Sequence, residues 1–464
     1  MASTTAARSI SADLLRKYDR PGPRYTSYPT AVEFSESFDE SAYRRQLSEA
    51  DAAAGEPLSM YVHLPFCEHR CTFCGCMSIT TLRRDAADRY LEYLHREIAL
   101  LADALPHRRQ VVQYHWGGGT PTYLDLAQMK SLHEAVTRHF EIDPQAEVAV
   151  EIDPRVTTPE QIDLLRALGF NRLSMGVQDF SESVQAALNR HQRESQTREL
   201  FAHARASGFL SINIDLVYGL PRQTPETFGR TIDSVADIRP ERIAVYSYAH
   251  VPWLRPNQKA IDPGDLPSPE VKFECLALAI ERFPAAGYVQ IGMDHFAAPG
   301  DELALAAQRR KLHRNFMGYT TKLAPDMVGL GVSAIGDVRS AFAQNVKKLS
   351  TYYAALESGR FPIERGYVLD ADDRLRRHVI TQLMCNFHLD RRACEDQFGV
   401  DFGEYFASEL AELAAGPVAD GFLEIHPDRL EVLPRGRVFI RNICMTFDRY
   451  LRRKTGRPVF SRTI

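Results

Sequence analysis

The chain has 464 residues, 44% of them hydrophobic and 25% charged, with a formal net charge of −4 and a pI of about 6.4. This is the composition of a globular protein large enough for two or three domains. It argues against a chain whose overall charge binds nucleic acid or an anionic membrane. No apolar run approaches the ~20 residues of a membrane span, and the N-terminus lacks the apolar core of a secretory signal. A cytoplasmic location is therefore expected, where thiols stay reduced.

In chain order, residues 1–55 read as an irregular, partly helical arm containing PGPRYTSYPT. From there to about residue 255 strands and helices alternate. The strands are LSMYVHL, VVQYHW, AEVAVEI, RLSMGV, SINIDLVYG and RIAVYSYA. Between them, RYLEYLHREIALLADAL, QMKSLHEAVTRHF, PEQIDLLRALG, TRELFAHARASG and ETFGRTIDSVADI carry apolar residues at helical spacing. Alternation at this spacing predicts a parallel sheet of βαβ units, and several strands are continuous apolar runs buried on both faces. The α/β fold class expected is an incomplete (β/α)6 barrel over 56–255, with an open doubly wound sheet as the alternative. Residues 256–365 break the rhythm and read as an extension completing the same domain. Residues 366–464 read as a mainly helical domain with LEIHPDRLEVLP as a hairpin, and the basic tail RYLRRKTGRPVFSR reads as a solvated terminal helix. No basic recognition stripe marks this part for DNA.

Polar residues gather where the strands end. The cysteine loop follows the first strand and Gly117-Gly118-Gly119-Thr120-Pro121 the second. Glu151 and Asp153 end the third, Gln178 and Asp179 the fourth, Asp215 the fifth, and Tyr248-Ala249-His250 the sixth. Active sites of parallel barrels lie at these ends, so polar groups at all six predict one shared site. Glycines without Cβ atoms let backbone approach a ligand closely, and neither a P-loop nor a dinucleotide fingerprint is present.

The loop CEHRCTFCGC holds Cys67, Cys71, Cys74 and Cys76. A structural zinc site takes four ligands, often as two separated pairs, and no second pair occurs here. Three cysteines at C-x3-C-x2-C can instead wrap one iron–sulfur cubane and leave one iron without a thiolate, where ferredoxin-type clusters use four. A zinc-binding module and purely structural thiols are the other readings.

Cysteines at this spacing after the first strand, with GGGTP after the second, resemble the radical S-adenosylmethionine (SAM) superfamily. RYTSYPT, YVHLPFCEHRCTFCGC, HWGGGTPTYL, EIDPR, GVQDF, IDLVYGLP, YAHVP, GMDHFA, LHRNFMGYTT, GVSAI and RNICMTFD resemble one family within it over nearly the whole chain. That family is the oxygen-independent coproporphyrinogen III oxidases, or dehydrogenases.

The resemblance implies a radical SAM partial barrel that acts in haem biosynthesis without O2. The ring A and B propionates of coproporphyrinogen III would be oxidatively decarboxylated to vinyl groups, giving protoporphyrinogen IX. It implies one 4Fe-4S cluster on Cys67, Cys71 and Cys74, with one iron site free of cysteine, and two SAM molecules. Tyr61, Gly118, Glu151 and Ile335 would contact the first SAM. Phe73, Gly119, Thr120, Gln178, Arg190, Asp215 and Ala249 would contact the second. It also implies a low-potential electron donor of flavodoxin or ferredoxin type, an unknown acceptor, and a monomer. Cations must meet the substrate's propionates, and Arg24, Arg255, Lys259 and Arg314 are the candidates outside the barrel. Two positions depart from the family: Met317 where Gln is usual, and Arg339-Ser340 where a Gly-Asp pair is usual. Both segments lie near SAM or substrate in the family. The alternative is therefore a paralogous tetrapyrrole methyltransferase or a haem-handling protein.

Overall fold

A computed structural model describes residues 10–453 and 460–463 of the chain. The six expected strands form as β1 (Leu58–Leu64), β2 (Gln110–Gly118), β3 (Glu141–Ile152), β4 (Arg172–Gln178), β5 (Ser211–Tyr218) and β6 (Arg242–Ser247). They lie side by side in that order and pair in parallel. Leu58, Met60, Val62, Ile212, Ile214 and Val245 are fully buried, whereas the alternate positions Ser59, Tyr61, His63, Asn213 and Asp215 put polar groups on the other face of β1 and β5, not the apolar runs expected on both faces. Between them run α1 (Asp85–Ala104), α2 (Leu126–Thr137), α3 (Pro159–Ala167), the short α4 (Glu182–Ala187), α5 (Glu194–Ala206) and α6 (Pro225–Ile238). Helices α2, α3 and α6 each start in a capping box, set by Asp125, Thr158 and Thr224. These caps fix where each strand-end loop stops, and so how much chain is left at the sheet's C-terminal edge.

The sheet is larger than the alternation predicts. After α7 (Pro269–Ala285), β7 (Val289–Ile291) and β8 (His295–Ala297) extend it antiparallel beyond β6. Strand β9 (Asp326–Leu330) then crosses to the other side and pairs in parallel with β1. An antiparallel run of β10 (Ile335–Val338), β11 (Ala341–Asn345) and β12 (Ile363–Val368) continues from it. The result is a twelve-stranded sheet with the six strands of the expected incomplete barrel at its centre, ordered β12-β11-β10-β9-β1-β2-β3-β4-β5-β6-β8-β7. A five-residue strand with no helical pattern before it carries no local signal of parallel pairing. Only the long-range partner supplies it.

The C-terminal part is built on a helix over Ala371–Asn386, and LEIHPDRLEVLP forms the expected hairpin, joined by a third strand at His388–Asp390. The arm is tied down rather than loose. Ser35 exchanges two hydrogen bonds with Gly366 on β12. Gly22 donates to the Ser461 carbonyl at 3.0 Å, and Thr463 donates to that of Arg20 at 2.9 Å. The tail is therefore extended at 460–463 where a helix was expected, 451–453 are a short 3-10 turn, and residues 454–459 of that segment lie outside the described residues. Buried Arg441 fastens arm to tail through the carbonyls of Pro23 (2.9 Å) and Thr463 (3.2 Å).

Candidate functional site

One cavity of about 1010 Å³ opens beyond the C-terminal ends of β1–β6. Its walls include Cys67, Cys71 and Cys74, and also Phe73, Gly118, Gly119, Thr120, Glu151, Gln178, Arg190, Asp215 and Ala249. The strand ends therefore do converge on a single space. Tyr61 and Ile335 stand apart from this lining.

The cysteine loop is held from outside. Asn257 donates to the carbonyls of Cys71 (3.2 Å), Thr72 (3.0 Å) and Cys74 (3.0 Å), and Gln258 donates to those of Phe73 (2.9 Å) and Ala249 (3.1 Å). The Thr72 amide and hydroxyl bond the carbonyls of Leu188 and Ala187. A loop with its own carbonyls so engaged presents its sulfurs in one arrangement. Arg155 and Arg190 each place a guanidinium nitrogen 3.7 Å from the Cys71 sulfur. The Cys76 amide donates to the Cys74 sulfur at 3.4 Å, which gives that fourth cysteine a local role. Donors and cations aimed at sulfur suit thiolates. Among the described residues, no three His, Cys, Asp or Glu side chains converge as they would around a single metal ion. A cluster, with sulfides between its irons, takes thiolates spread further apart. The donor set therefore fits an iron–sulfur cluster.

Two of the three glycines are sterically required, Gly118 and Gly119, and Gly117 is closely approached by a side chain. A Cβ on Gly117 would meet the Glu151 carboxylate at 2.9 Å. One on Gly118, whose φ is +115°, would meet the His63 ring at 2.6 Å, and one on Gly119 the Pro65 carbonyl at 2.7 Å. The His63 ring is fixed in turn. Its Nε2 donates to the Met77 carbonyl at 2.9 Å, so Nδ1 accepts from the Tyr61 hydroxyl at 3.1 Å. Tyr61 thus braces the turn and the cysteine loop, stacked on His115 at 5.8 Å.

Two carboxylates in the cavity are tuned in opposite directions. Burial pushes Glu151 up. The hydrogen bond and charge of His115 (3.4 Å), the Gly118 amide (3.1 Å) and His63 outweigh it and hold the group below its ordinary value. Burial dominates at Asp215 and, with nearby Glu151, lifts it to about 6 against the hydrogen bonds of Ser174 (2.9 Å) and Asn213 (2.8 Å). A third acid, Asp153, is drawn down to about 2: Arg190 and Arg155, at 3.0 and 2.6 Å, overcome its desolvation. Sequence reasoning placed Asp153 at a strand end but missed this trio, although DPR spells two of its members.

Of the four cations expected outside the barrel, Arg24 and Arg255 line the cavity. Lys259 is exposed and outside the lining, and Arg314 donates to the Arg24 carbonyl (3.0 Å) behind it. Lys347 and Arg365 line the cavity without having been foreseen.

The two unusual positions lie elsewhere. Arg339 adopts φ +54° at the turn between β10 and β11, where glycine costs least. Its side chain binds Glu56 at 2.9 Å and Asp326, at the N-terminal ends of the strands. Met317 sits in the turn of a hairpin (313–320) whose Asn315 reaches Gln113 in the early half of β2. Neither residue lines the cavity.

Comparison with known proteins agrees with this geometry. A model of the radical SAM superfamily matches residues 61–235, and one of the HemN C-terminal domain matches residues 369–439. The chain is 47% identical over 452 residues to the oxygen-independent coproporphyrinogen III oxidase of Escherichia coli, covering 97% of this chain and 98% of that one. It is 44% identical over 468 residues to that of Synechocystis, covering both chains in full. A solved structure described as coproporphyrinogen III oxidase (HemN) from Escherichia coli, a radical SAM enzyme, superposes with a TM-score of 0.88. It shares 47% identity and covers 92% of this chain and 97% of that one.

Proposed function

The chain belongs to the oxygen-independent coproporphyrinogen III oxidase family, and from that premise we propose that it converts coproporphyrinogen III to protoporphyrinogen IX in haem biosynthesis. It is an oxidoreductase of the radical SAM superfamily, and membership implies a 4Fe-4S cluster and SAM. When bound, these supply a 5′-deoxyadenosyl radical able to take a hydrogen from a propionate β-carbon, after which CO2 leaves and an acceptor takes one electron.

The observation that carries the reading is the shared cavity: the three cysteines, Gly118 and Gly119 of the turn, and the acids Glu151, Asp153 and Asp215 all line one space. In the finer assignment Cys67, Cys71 and Cys74 hold the cluster and leave one iron open. Glu151, kept ionised by His115 and the Gly118 amide, accepts from the ammonium or ribose hydroxyls of one SAM. Gln178, Arg190 and Asp215 face the second SAM. Arg190 also neutralises Asp153, so any carboxylate it meets shares its fork. Tyr61 acts by setting the His63 ring under the turn. All eight cysteines are unpaired, in keeping with a reducing cytoplasm. A flavodoxin- or ferredoxin-type donor and a monomeric state complete the assignment. The methyltransferase or haem-handling alternative rested on Met317 and Arg339-Ser340, and none of these residues is among the cavity lining.

The test is anaerobic turnover of reconstituted protein with SAM, a low-potential reductant, an electron acceptor and coproporphyrinogen III. Loss of two CO2 units by mass spectrometry, with 5′-deoxyadenosine formed, is the expected result. SAM cleavage with the tetrapyrrole mass unchanged, or raised by a methyl group, would sink the reading.

A further inference from the structure

The cations around the cavity fall into two groups, apart from exposed Arg70, which donates to Asn257 Oδ1 at 3.2 Å. Arg155 and Arg190 are bound to Asp153, and Lys347 to Glu364 at 2.9 Å. Arg24, Arg255 and Arg365 line the same cavity, half-buried, and none forms an ion pair among the described residues. Arg24 spends a donor on the Ser247 carbonyl, at the end of β6, and Arg255 lies in the loop after β6. Arg365 arrives from a different direction, on β12 at the other side of the sheet.

Arg365 is also the best oriented of the three. Its Nε donates to Gln344 Oε1 at 2.7 Å, and Gln344 is itself buried. Its guanidinium lies 5.8 Å from the ring of Phe34, which stacks on Phe342 at 5.4 Å. A buried amide and an aromatic face thus fix the head group and leave the terminal nitrogens uncommitted to any carboxylate. Removing a guanidinium from water without an anion is costly. Its planar fork matches a carboxylate bidentately.

We propose that Arg365 anchors a propionate of the substrate, and specifically one that the reaction retains. This rests on the reading of the substrate as coproporphyrinogen III. A fork that stabilises a carboxylate as an anion stabilises the ground state of that group against leaving as neutral CO2, so it suits a spectator carboxylate rather than a reacting one. With Arg24 and Arg255 on the β6 side, Arg365 holds the opposite rim of the macrocycle and so sets which propionates face the cysteine loop.

The experiment is anaerobic equilibrium binding to cluster-loaded protein, followed by fluorescence quenching. The ligands are coproporphyrinogen III and its analogue with the two retained propionates as amides. R365Q weakens binding of the tetra-acid roughly 10- to 100-fold, the range of a lost charge-assisted hydrogen-bonded contact. R365K weakens it less. The amide analogue, already lacking the anion, loses less than about threefold on R365Q. Iron, sulfide and SAM binding stay at wild-type levels. If R365Q does not hold its cluster, R365K carries the same two-ligand comparison. Wild-type affinity in the variants, or equal losses for acid and amide, overturns the anchor while leaving the function intact. If wild-type protein itself does not bind coproporphyrinogen III, the functional reading fails and the anchor with it.

Discussion

The two ends of the barrel handle buried charge in opposite ways. At the N-terminal end Arg108 and Asp326 are both fully buried and bound to each other. Arg108 spends its remaining donors on the carbonyls of Glu56 (2.9 Å), Ala50 (3.2 Å) and Pro57 (2.7 Å). Asp326 also accepts from the Arg339 amide. All three guanidinium nitrogens of Arg108 are engaged, and neither Arg108 nor Asp326 lines the large cavity. At the C-terminal end thiols, ionised acids and unpaired arginines surround open space. A closed network stabilises a fold, whereas an open one is stabilised only by what binds it.

Breaking the open end should abolish chemistry without unfolding. Cys71→Ser is expected to lose the reconstituted cluster, read as iron, sulfide and brown absorbance. Apoprotein stability should change by no more than about 1 kcal/mol in denaturant unfolding. Retained iron at wild-type stoichiometry would remove Cys71 from the ligand set.

Breaking the closed end should do the reverse. Arg108→Met leaves buried Asp326 with only the longer ionic contact to Arg339 (3.5 Å), at a cost of about 3 kcal/mol. SAM binding per folded molecule should be unchanged. A midpoint equal to wild type in a denaturant titration would contradict the closed-network account.

Glu97 sharpens the contrast, as a buried acid in a satisfied network on the barrel's flank. It accepts from Gly331 (2.7 Å), Asn345 (2.6 Å) and Tyr352 (2.6 Å), yet burial lifts it to about 7. The folded state therefore keeps a proton that the unfolded chain releases near its ordinary value. That contribution is present in full at low pH and is lost as pH rises from about 4.5 through 7. Wild type should lose up to about 3 kcal/mol relative to Glu97→Gln across that window. Unfolding free energies that differ by a constant at every pH would show that Glu97 ionises normally.

The smallest effects belong to the unusual positions. Arg339→Gly trades a partly exposed ion pair with Glu56 and a longer contact (3.5 Å) to Asp326, which keeps Arg108, for relief of a left-handed backbone, and stability should move by no more than about 1 kcal/mol. Met317→Gln should leave the KM for coproporphyrinogen III unchanged. A change in KM beyond about threefold in either variant would place these segments nearer the substrate than the cavity lining does.

Much was legible in the chain by itself. Apolar runs of strand length alternating with periodic helices specify a parallel α/β sheet, because both patterns follow from which faces must be buried. The cysteine spacing, the glycine run and the acids at three of the six strand ends are local in sequence and read directly, and topology then brings them together. Partnership across the fold was not legible. Arg24 and Arg255 read the same as Lys259 and Arg314, yet only the first two reach the cavity. Arg365 stood in a segment without a motif. Arg339 looked like a change near the site and proved to close a turn at the other end. The sheet's extension through β9 to β12 likewise depends on a pairing between residues more than 260 positions apart, Leu58 with Asp326. Periodicity and spacing are written in neighbouring residues. Whether a charge is neutralised, exposed or left facing a ligand depends on residues hundreds of positions away, and only the folded chain decides it.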